Sequence, residues 1–409
     1  MSGAVPELRF PGFEGSWEVT TLGEFMSFKN GVNADKSQYG TGRKFINVLD
    51  IIEAGPITHD RIIGSVDIPV AEFEKNEVKY GDILFQRSSE TREEVGQSNV
   101  YLDPERTASF GGFVIRGRLH EPVNPRFLDN LLKTSSVRKD ITSRSGGSTR
   151  FNIGQESLGS VEVCMPPDEA ERSKIADFLD QVSSKISLLK NQVDVLRQFK
   201  ACLMQRLFSQ DLRFTRDDGS DFPDWEEKPL GKMGRFTGGG TPDTNNKDYW
   251  SGDIAWISSS DLSEGNILSL EIKRRITQEA IKSSATQVTP KGAVLIVTRV
   301  GIGKCCISPE DVCTSQDFTN FVPADGLGEF FAYWLLFNQG RLKSLAQGTS
   351  IKGITVQDLK SLKVDVPHPD EQEKIASALS ALDAKIAAVT DEITHMETFK
   401  KGLLQKMFV

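Results

Sequence analysis

The stretch KIADFLDQVSSKISLLKNQVDVLRQFK, residues 174–200, has a counterpart two hundred residues later in KIASALSALDAKIAAVTDEITHMETFK, residues 374–400. Comparing 174–208 with 374–408 gives 11 identities in 35 positions. Both copies space their apolar residues alternately by four and three, which is typical of a coiled-coil seam. The predicted seam positions are Ile175, Leu179, Val182, Ile186, Leu189, Val193 and Leu196 in the first copy, and Ile375, Leu379, Leu382, Ile386, Val389, Ile393 and Met396 in the second. The sequence therefore predicts two long helices with matching apolar stripes.

More than one arrangement of these helices fits the pattern. Each helix could pack on its own neighbouring module, or the two matched seams could pair with each other, in parallel or antiparallel orientation. An antiparallel pair would place the modules at opposite ends and would act as a molecular ruler. Both stripes continue through a lysine, Lys200 in the first copy and Lys400 in the second.

The starts of both helices carry capping signals. Asp168 and Asp370 each follow a proline, and each is followed three residues later by an acid, Glu171 and Glu373. An aspartate at the N-cap accepts hydrogen bonds from free backbone N–H groups, and an acid at the third helical position completes a capping box. We therefore predict that both aspartates are N-caps.

The repetition extends upstream of the helices. Residues 145–163 resemble 346–364, residues 80–85 resemble 291–296, and an LRF sequence followed by a tryptophan opens both halves. The chain therefore divides into two halves of similar plan, about 1–208 and 209–409, and each half is a globular module followed by a long helix.

Composition limits the class of protein. Hydrophobic residues at 38% and charged residues at 26% are typical of a globular chain with real cores. The longest apolar run, Phe330–Phe337, is far shorter than the ~20 residues of a membrane span. The first residues lack the pattern of a signal peptide. Five cysteines without metal-ligand spacing indicate a reduced, cytoplasmic protein without a metal site.

The sequence carries no recognisable catalytic motif. TRVGIGKC at 298–305 lacks the spacing of a phosphate-binding loop, and we predict a turn between two strands instead. There is no Asn/Asp-Pro-Pro-aromatic tetrapeptide of an amino-methyltransferase and no strand–GxGxxG–helix unit for a nucleotide cofactor. The four histidines are scattered and form no triad or metal pattern. We therefore expect no catalytic residues and no cofactor in this chain.

Taken together, these features resemble the specificity subunit of type I restriction–modification systems. The resemblance rests on the two similar halves and on PDEAERSKIADFL and PDEQEKIASAL at the helix starts. SFKNG, RFTGGGTP, GGSTRFNI and GTSIKGIT also look like family motifs. The first half departs from the pattern, because LFQRSSETREEVGQSNVY stands where the second half has LIVTRVGIGKCCI.

The resemblance implies an α+β fold: two similar target-recognition domains separated by two long antiparallel coiled-coil helices, related by a pseudo-twofold internal repeat. The implied boundaries are 1–166 for the first recognition domain, 167–210 for the central spacer helix, 211–367 for the second domain and 368–409 for the C-terminal spacer helix. Each domain would read one half of a bipartite double-stranded DNA target, and the coiled coil would set the spacing.

The resemblance also implies partners. Two methyltransferase subunits would dock on the coiled coil and carry S-adenosylmethionine for methylation of adenine. Restriction–translocase subunits would use ATP and Mg²⁺. The charge balance agrees with a need for partners: residues 1–160 carry 19 basic and 22 acidic side chains, and residues 215–366 carry 17 and 20, so each module has a net charge of −3. Such modules should bind DNA weakly alone, because affinity for DNA depends largely on neutralised phosphates.

Two loops rich in cations, glycine and hydroxyl residues are the predicted DNA contacts, at 137–151 and 340–353. Such loops can bring backbone N–H groups, short side chains and cations to phosphates. Arginines and a lysine in the segments that differ between the halves could read guanine edges. The predicted DNA-binding residues are Arg87, Arg92, Arg138, Lys139, Arg144, Ser148, Thr149, Arg150, Arg299, Lys304, Arg341, Lys343, Thr349, Ser350 and Lys352.

Two other functions fit parts of the sequence. The chain could be an intracellular adaptor whose coiled coil is an oligomerisation module and whose two domains bind protein. It could also be an enzyme with an unrecognised site. Retention of DNA in the presence of a methyltransferase partner would separate the first possibility from a specificity subunit.

Overall fold

Two compact units make up the chain, and each contains parts of both long helices. The computed structural model describes residues 5–325, 327–347 and 352–409. The first unit comprises Met1–Lys190 and Glu392–Val409, and the second comprises Asn191–Asp391. The long helices are α7 (Glu169–Phe208) and α12 (Pro369–Met407). Each helix therefore starts in the unit of its own half and ends in the other.

In the first unit, the main sheet is antiparallel, with strand order β2-β9-β5-β7. A smaller sheet has the order β4-β3-β8, in which β3 and β8 are parallel, and β1 pairs with β11. The strands are β1 (Glu18–Thr21), β2 (Met26–Asn30), β3 (Tyr39–Ile46), β4 (Ser65–Val66), β5 (Ile83–Gln86), β6 (Ser88–Ser89), β7 (Ser98–Val100), β8 (Ser109–Phe110), β9 (Val114–Leu119), β10 (Phe151–Asn152) and β11 (Glu162–Met165). The helices before α7 are α1 (Leu22–Phe25), α2 (Val48–Ile52), α3 (Val70–Lys75), α4 (Pro125–Leu132), α5 (Ser135–Ser143) and α6 (Gln155–Gly159), with 3₁₀ turns at Lys36–Gln38 and His59–Arg61.

The second unit repeats this topology. Its antiparallel sheet has the order β13-β19-β16-β17, its smaller sheet the order β15-β14-β18 with β14 and β18 parallel, and β12 pairs with β20. The strands are β12 (Glu226–Pro229), β13 (Gly234–Gly238), β14 (Ile254–Ile257), β15 (Arg274–Ile276), β16 (Val294–Val297), β17 (Cys305–Ile307), β18 (Val312–Thr314), β19 (Phe318–Pro323) and β20 (Lys363–Val366). The helices before α12 are α8 (Gln278–Lys282), α9 (Gly328–Phe337), α10 (Gln339–Leu345) and α11 (Val356–Ser361), with 3₁₀ turns at Leu230–Lys232, Lys247–Trp250 and Ser259–Asp261.

The predicted seam is buried along both helices. All fourteen seam residues are buried or half-buried. In the first unit, Ile175, Leu179 and Ile186 share one core with Leu403 and Met407. In the second unit, Leu207, Ile375 and Leu379 belong to one core that also contains the strands and α9. The helices therefore pair with each other and also pack on the sheets. Pairing of the two seams and packing of each helix on a module, the two predicted arrangements, both occur.

Contacts within the first unit give the direction of pairing. Trp17 Nε1 donates to Glu171 in the first turn of α7, and the Trp17 ring packs edge-on against Phe408, 6.1 Å between centroids. Farther along, Lys185 Nζ lies 3.2 Å from the carboxylate of Glu392. The start of α7 therefore lies near the end of α12, and residues later in α7 contact residues earlier in α12. The two helices are antiparallel, as the resemblance implied.

The start of α7 is as predicted, but the start of α12 is not. Asp168 Oδ1 accepts a hydrogen bond from the backbone N–H of Ala170, as an N-cap does. The prediction that Asp370 is the N-cap of α12 was wrong. The helix begins at Pro369, and Nδ1 of His368 accepts a hydrogen bond from the N–H of Asp370. Proline fits the first helical position, since its fixed φ is helical and its missing N–H is not needed there.

An equivalent buried glutamate in each unit explains the repeated LRF and tryptophan. Arg9 and Trp17 both donate to Glu171, with Arg9 Nε 2.7 Å from Oε1. In the second unit an arginine and a tryptophan likewise donate to the equivalent glutamate, Glu371. The distances are 3.1 and 2.8 Å from Arg213 Nε and Nη2, and 3.1 Å from Trp225 Nε1. These bonds attach the first residues of each half to the first turn of its long helix.

The lysine in the seam of the second unit forms a buried ion pair. Lys200 Nζ lies 2.6 and 2.8 Å from the two carboxylate oxygens of Asp383, and Tyr333 donates to the same carboxylate at 2.7 Å. The side chains of Lys200 and Asp383 are only 7% and 3% exposed. Burial is the main cause that raises the pKa of Tyr333, so its hydroxyl stays protonated and donates. Position 183, equivalent to Asp383, is a serine, so this pair belongs to the second unit alone.

Removal of one partner should cost more than removal of both. Asp383→Ala should lower the free energy of unfolding by about 3–5 kcal/mol, because Lys200 would be left charged and buried. The double variant Lys200→Met, Asp383→Leu should recover most of that loss, since apolar groups of similar size replace the pair. Chemical denaturation of both variants and the unchanged protein measures the difference. Equal losses in the single and double variants would contradict this view of the pair.

Candidate nucleic-acid interface

The basic loop of the first unit is closed by a backbone bridge and lies beside the strand that follows β5. Gly146 and Asn152 exchange two backbone hydrogen bonds of 3.0 and 2.8 Å, so residues 147–150 form a tight loop. The following strand, β10, pairs with β6, and the N–H of Ile153 donates to the carbonyl of Arg87 at 3.0 Å. The loop is therefore held against the segment that differs between the halves.

The second unit has the same arrangement at equivalent positions. Gln347 and Gly353 exchange hydrogen bonds of 2.9 and 2.8 Å, and the N–H of Ile354 donates to the carbonyl of Thr298 at 2.9 Å. These three residues lie 201 positions after Gly146, Asn152 and Ile153. The predicted contacts Thr349 and Ser350 lie outside the described residues. The two units thus bring the two predicted DNA-contacting segments of each half together in the same way.

Five of the predicted cations are available at the surface. They are exposed, and among the residues that the structure describes their charged groups make no ion pair and lie over no aromatic ring. This set is Lys139 and Arg150 in the first unit, and Arg299, Arg341 and Lys352 in the second. Ser148 and Thr149 are also exposed, in the loop between Gly146 and Asn152. These are the groups that a phosphate could reach without breaking an existing contact.

Arg138 and Arg144 have structural partners in the first unit. The Arg138 guanidinium donates to the carbonyls of Glu93 and Val95 at 2.9 and 2.8 Å, and burial lowers the pKa of this side chain. Arg144 donates to Asp140 and to Ser160, both at 2.9 Å. Arg138 therefore holds residues 93–95 onto α5, and both arginines can position the loop rather than contact DNA directly.

Arg87, Arg92, Lys304 and Lys343 also have partners. Arg87 Nη1 donates to the carbonyl of Gly112 at 3.2 Å, and the Arg92 guanidinium lies 5.6 Å from the centroid of the Phe151 ring. In the second unit, Lys304 Nζ donates to the carbonyl of Leu262 at 3.1 Å, and Lys343 lies 3.5 Å from the exposed Glu264 carboxylate. Their predicted base and phosphate contacts stay predictions.

The hairpin prediction for TRVGIGKC is confirmed. β16 and β17 pair in antiparallel register on either side of residues 298–304, and Gly301 and Gly303 adopt φ of 94° and 93°. Glycine enters this left-handed region without steric cost. A groove that contains Arg299 is lined by residues 238–239, 298–300, 316–319, 347 and 353–356.

The glycines of RFTGGGTP allow a close approach of chains in this groove. A Cβ on Gly239 would come within 1.9 Å of the carbonyl oxygen of Ser315. The loop after β13 therefore lies directly against the segment that precedes β19. Two polar residues at this junction, Asn33 in the first unit and Gln316 in the second, are not among the predicted DNA contacts. The backbone hydrogen bonds of the two halves make Asn33 equivalent to Thr241 and Gly112 equivalent to Gln316, so neither amide is repeated in the sequence of the other half.

Other kinds of site are not found in the described residues. In residues 5–325, 327–347 and 352–409, no three His, Cys, Asp or Glu side chains are grouped so that they could hold a metal ion. No helix in the same residues is long and apolar enough to cross a membrane. Burial raises the pKa of the Cys305 thiol to about 12. That thiol is therefore protonated at neutral pH.

Known proteins resemble the chain over most of its length. The family model described as the type I restriction modification DNA specificity domain matches residues 14–198 and 223–397. The MjaIX specificity subunit of Methanocaldococcus jannaschii is 31% identical over 207 residues, which are 49% of this chain and 48% of that protein. The chain thus matches about half the length of this relative. The putative MjaX specificity subunit of the same organism is 24% identical over 416 residues, covering 98% and 93%.

Two further proteins show the same pattern. The EcoR124I/EcoR124II specificity subunit of Escherichia coli is 26% identical over 281 residues, covering 63% of this chain and 69% of that protein. The crystal structure of a type I S subunit from M. genitalium superimposes with a TM-score of 0.64 at 15% identity, covering 99% of both chains. The family matches cover both halves, and the chain therefore belongs to the type I restriction–modification DNA specificity family, as a specificity subunit with two such domains.

Proposed function

We propose that each unit reads one half of a bipartite double-stranded DNA target, and that the paired helices set the gap between the halves. The methyl transfer to adenine and the ATP-dependent translocation and cleavage belong to partner subunits, which would carry S-adenosylmethionine, ATP and Mg²⁺. The observation that supports this most is a junction repeated in both units. The residue after the basic loop donates to the segment that follows the central strand, Ile153 to Arg87 in the first unit and Ile354 to Thr298 in the second. A bipartite target needs two such surfaces, one in each unit.

The distribution of charge supports phosphate contacts at these junctions. Each module is net acidic, yet three cations without ion-pair partners in the described part of the chain, Arg150, Arg299 and Lys352, lie in or beside the closed loops. Arg150 lies within one loop, and Arg299 lies beside Gly353 of the other, whose Cβ position is 3.5 Å from the Arg299 Cγ atom. Cations placed beside a glycine-rich backbone can neutralise phosphates while backbone N–H groups approach them.

Exposed apolar side chains on the long helices support docking of methyltransferase subunits. Phe199 and Phe399, at equivalent positions of the repeat, are 56% and 51% exposed, and Leu188 and Val195 are 66% and 63% exposed. Large apolar groups exposed on a helix commonly mark a protein contact. One equivalent phenylalanine in each unit suits two copies of one partner.

Binding of DNA should depend on the methyltransferase partner. The chain alone should bind target duplex weakly at physiological salt, because its net charge is −8. With the methyltransferase subunits added, binding should become tight and should weaken steeply as salt rises. Arg299→Ala in that complex should weaken binding to all sequences alike and reduce the salt slope by about one. Titration of labelled duplex at several salt concentrations measures both effects.

Lys228→Ala is the matched control for Arg299→Ala. Lys228 is an exposed cation of β12 that pairs with Glu226, so it lies outside the groove and its loss should leave the salt slope unchanged. Nanomolar, sequence-specific binding by the chain alone at physiological salt would contradict this account of the acidic composition. Retention of protein but no DNA by the complex would favour the adaptor function.

A further inference from the structure

The same junction in the two units carries different side chains. Backbone hydrogen bonds fix the correspondence: the N–H of Val32 donates to the carbonyl of Phe110, and the N–H of Gly240 donates to the carbonyl of Thr314. Likewise the N–H of Arg87 donates to Phe113, and the N–H of Thr298 donates to Asp317, both at 2.8 Å. Counting from these bonds, the pair Asn33 and Gly112 in the first unit corresponds to the pair Thr241 and Gln316 in the second.

In the first unit, the amide of Asn33 occupies the space that a side chain at position 112 would need. A Cβ on Gly112 would come within 1.9 Å of Asn33 Oδ1 and 3.2 Å of Nδ2. Asn33 is exposed, and within the described residues its amide has no hydrogen-bond partner. The guanidinium of Arg87 donates to the carbonyl of the same Gly112. An amide with free donor and acceptor therefore lies beside an arginine.

In the second unit, the opposite member of the pair supplies the amide. Thr241 Oγ1 donates to Gln316 Oε1 at 2.5 Å, which turns the amide NH₂ away from Thr241. Gln316 is exposed and lines the groove that also contains Arg299. Both units therefore present one carboxamide and one guanidinium at the same structural junction. The residues equivalent to the two amides are not amides: Thr241 stands opposite Asn33 in the repeat, and Gly112 stands opposite Gln316.

We propose that Asn33 and Gln316 are base-contacting specificity residues, each reading the major-groove edge of one base in the half-target of its unit. This rests on the proposed function, because it assumes that the junctions face DNA. A carboxamide can donate to and accept from an adenine edge at once. A phosphate offers only acceptors, so a free amide acceptor such as Asn33 Oδ1 suits a base edge better than the backbone.

The test replaces each amide by its acid, which keeps the shape but removes the donor. Asn33→Asp and Gln316→Glu complexes with the methyltransferase subunits would select from duplex libraries in which one position of the target at a time is randomised. Each variant should lose its preference for one purine by about 5- to 150-fold. The preference should move toward cytosine, whose N4 amino group donates to a carboxylate. Asn33→Asp should affect only one half-target and Gln316→Glu only the other.

A second variant displaces an amide without replacing it. Gly112→Ala is compatible with the backbone, whose φ at this residue lies outside the left-handed region, and it should push the Asn33 side chain out of position. It should relax the same target position as Asn33→Asp with an unchanged melting temperature. Gln278→Ala, an exposed amide at the start of α8, is the control and should change nothing.

Three outcomes are distinguishable. A change of preference at a single base position in each half-target supports the inference. Uniform weakening at all positions, with a lower salt slope, would overturn it and make these amides backbone contacts. Absence of any sequence preference in the unchanged complex would instead contradict the proposed function itself.

Discussion

Replacing residues 1–166 by the first recognition domain of another specificity subunit should change one half of the methylated target and leave the other half and the gap unchanged. The two units have separate cores: Ile83, Phe85 and Ile115 belong to one, and Val294 and Phe321 to another. Each unit also has its own junction, in which Ile153 donates to Arg87 in the first unit and Ile354 donates to Thr298 in the second. All residues that read one half-target should therefore be transferred with one domain.

The junction of such a chimera needs care, because the first domain is bonded to the first turn of α7. The incoming domain should keep an arginine and a tryptophan at the positions of Arg9 and Trp17, so that Glu171, which is 1% exposed, retains its partners. A reciprocal exchange of 211–367, with Arg213 and Trp225 retained, is the matched control and should change the other half-target. Methylation sequencing identifies both halves. A chimera in which both halves changed would contradict independent reading by the two units.

A matched insertion in both long helices should lengthen the gap and leave both half-targets unchanged. The helices pass from one unit to the other between Lys190 and Asn191 and between Asp391 and Glu392. Seven residues inserted at each point keep the heptad phase of the seam. They also leave the internal contacts of each unit in place. About 10 Å of added helix, at ~3.4 Å per base pair, should lengthen the gap by about three base pairs.

An insertion in α7 alone is the control. It would shift one seam against the other, so that Lys200 no longer faces Asp383 or the core contacts of Ile175 are lost. That variant should be inactive or unstable, which a melting curve would show. If the matched insertion remained active with an unaltered gap, the helices would not set the spacing, and their role would be limited to packing and docking.

The sequence predicted the helices and their seam well because that pattern is local and repetitive. Fourteen positions chosen by spacing alone are buried or half-buried. The seam lysine at position 200 could not be interpreted in the same way, since its partner Asp383, and Tyr333, which donates to Asp383, come from distant parts of the chain. Direction of pairing also came from the family resemblance and was then confirmed by contacts such as Lys185 with Glu392.

The candidate site was only partly predictable for a related reason. A count of cations treats Arg138 and Arg150 alike, yet Arg138 is directed at the carbonyls of Glu93 and Val95 while Arg150 is exposed. Whether a side chain points to the surface depends on tertiary contacts that spacing does not record. Asn33 and Gln316 were missed because the amide changes from one loop to the other between the units, so no repeated letter marks it.

Methylome sequencing of cells with and without this gene, and of the deletion strain complemented with the unchanged gene, tests the central claim most directly. The account predicts that one bipartite adenine-methylation motif disappears in the deletion strain and returns on complementation. A set of methylated motifs that is the same in all three strains, with the partner subunits expressed, would contradict it.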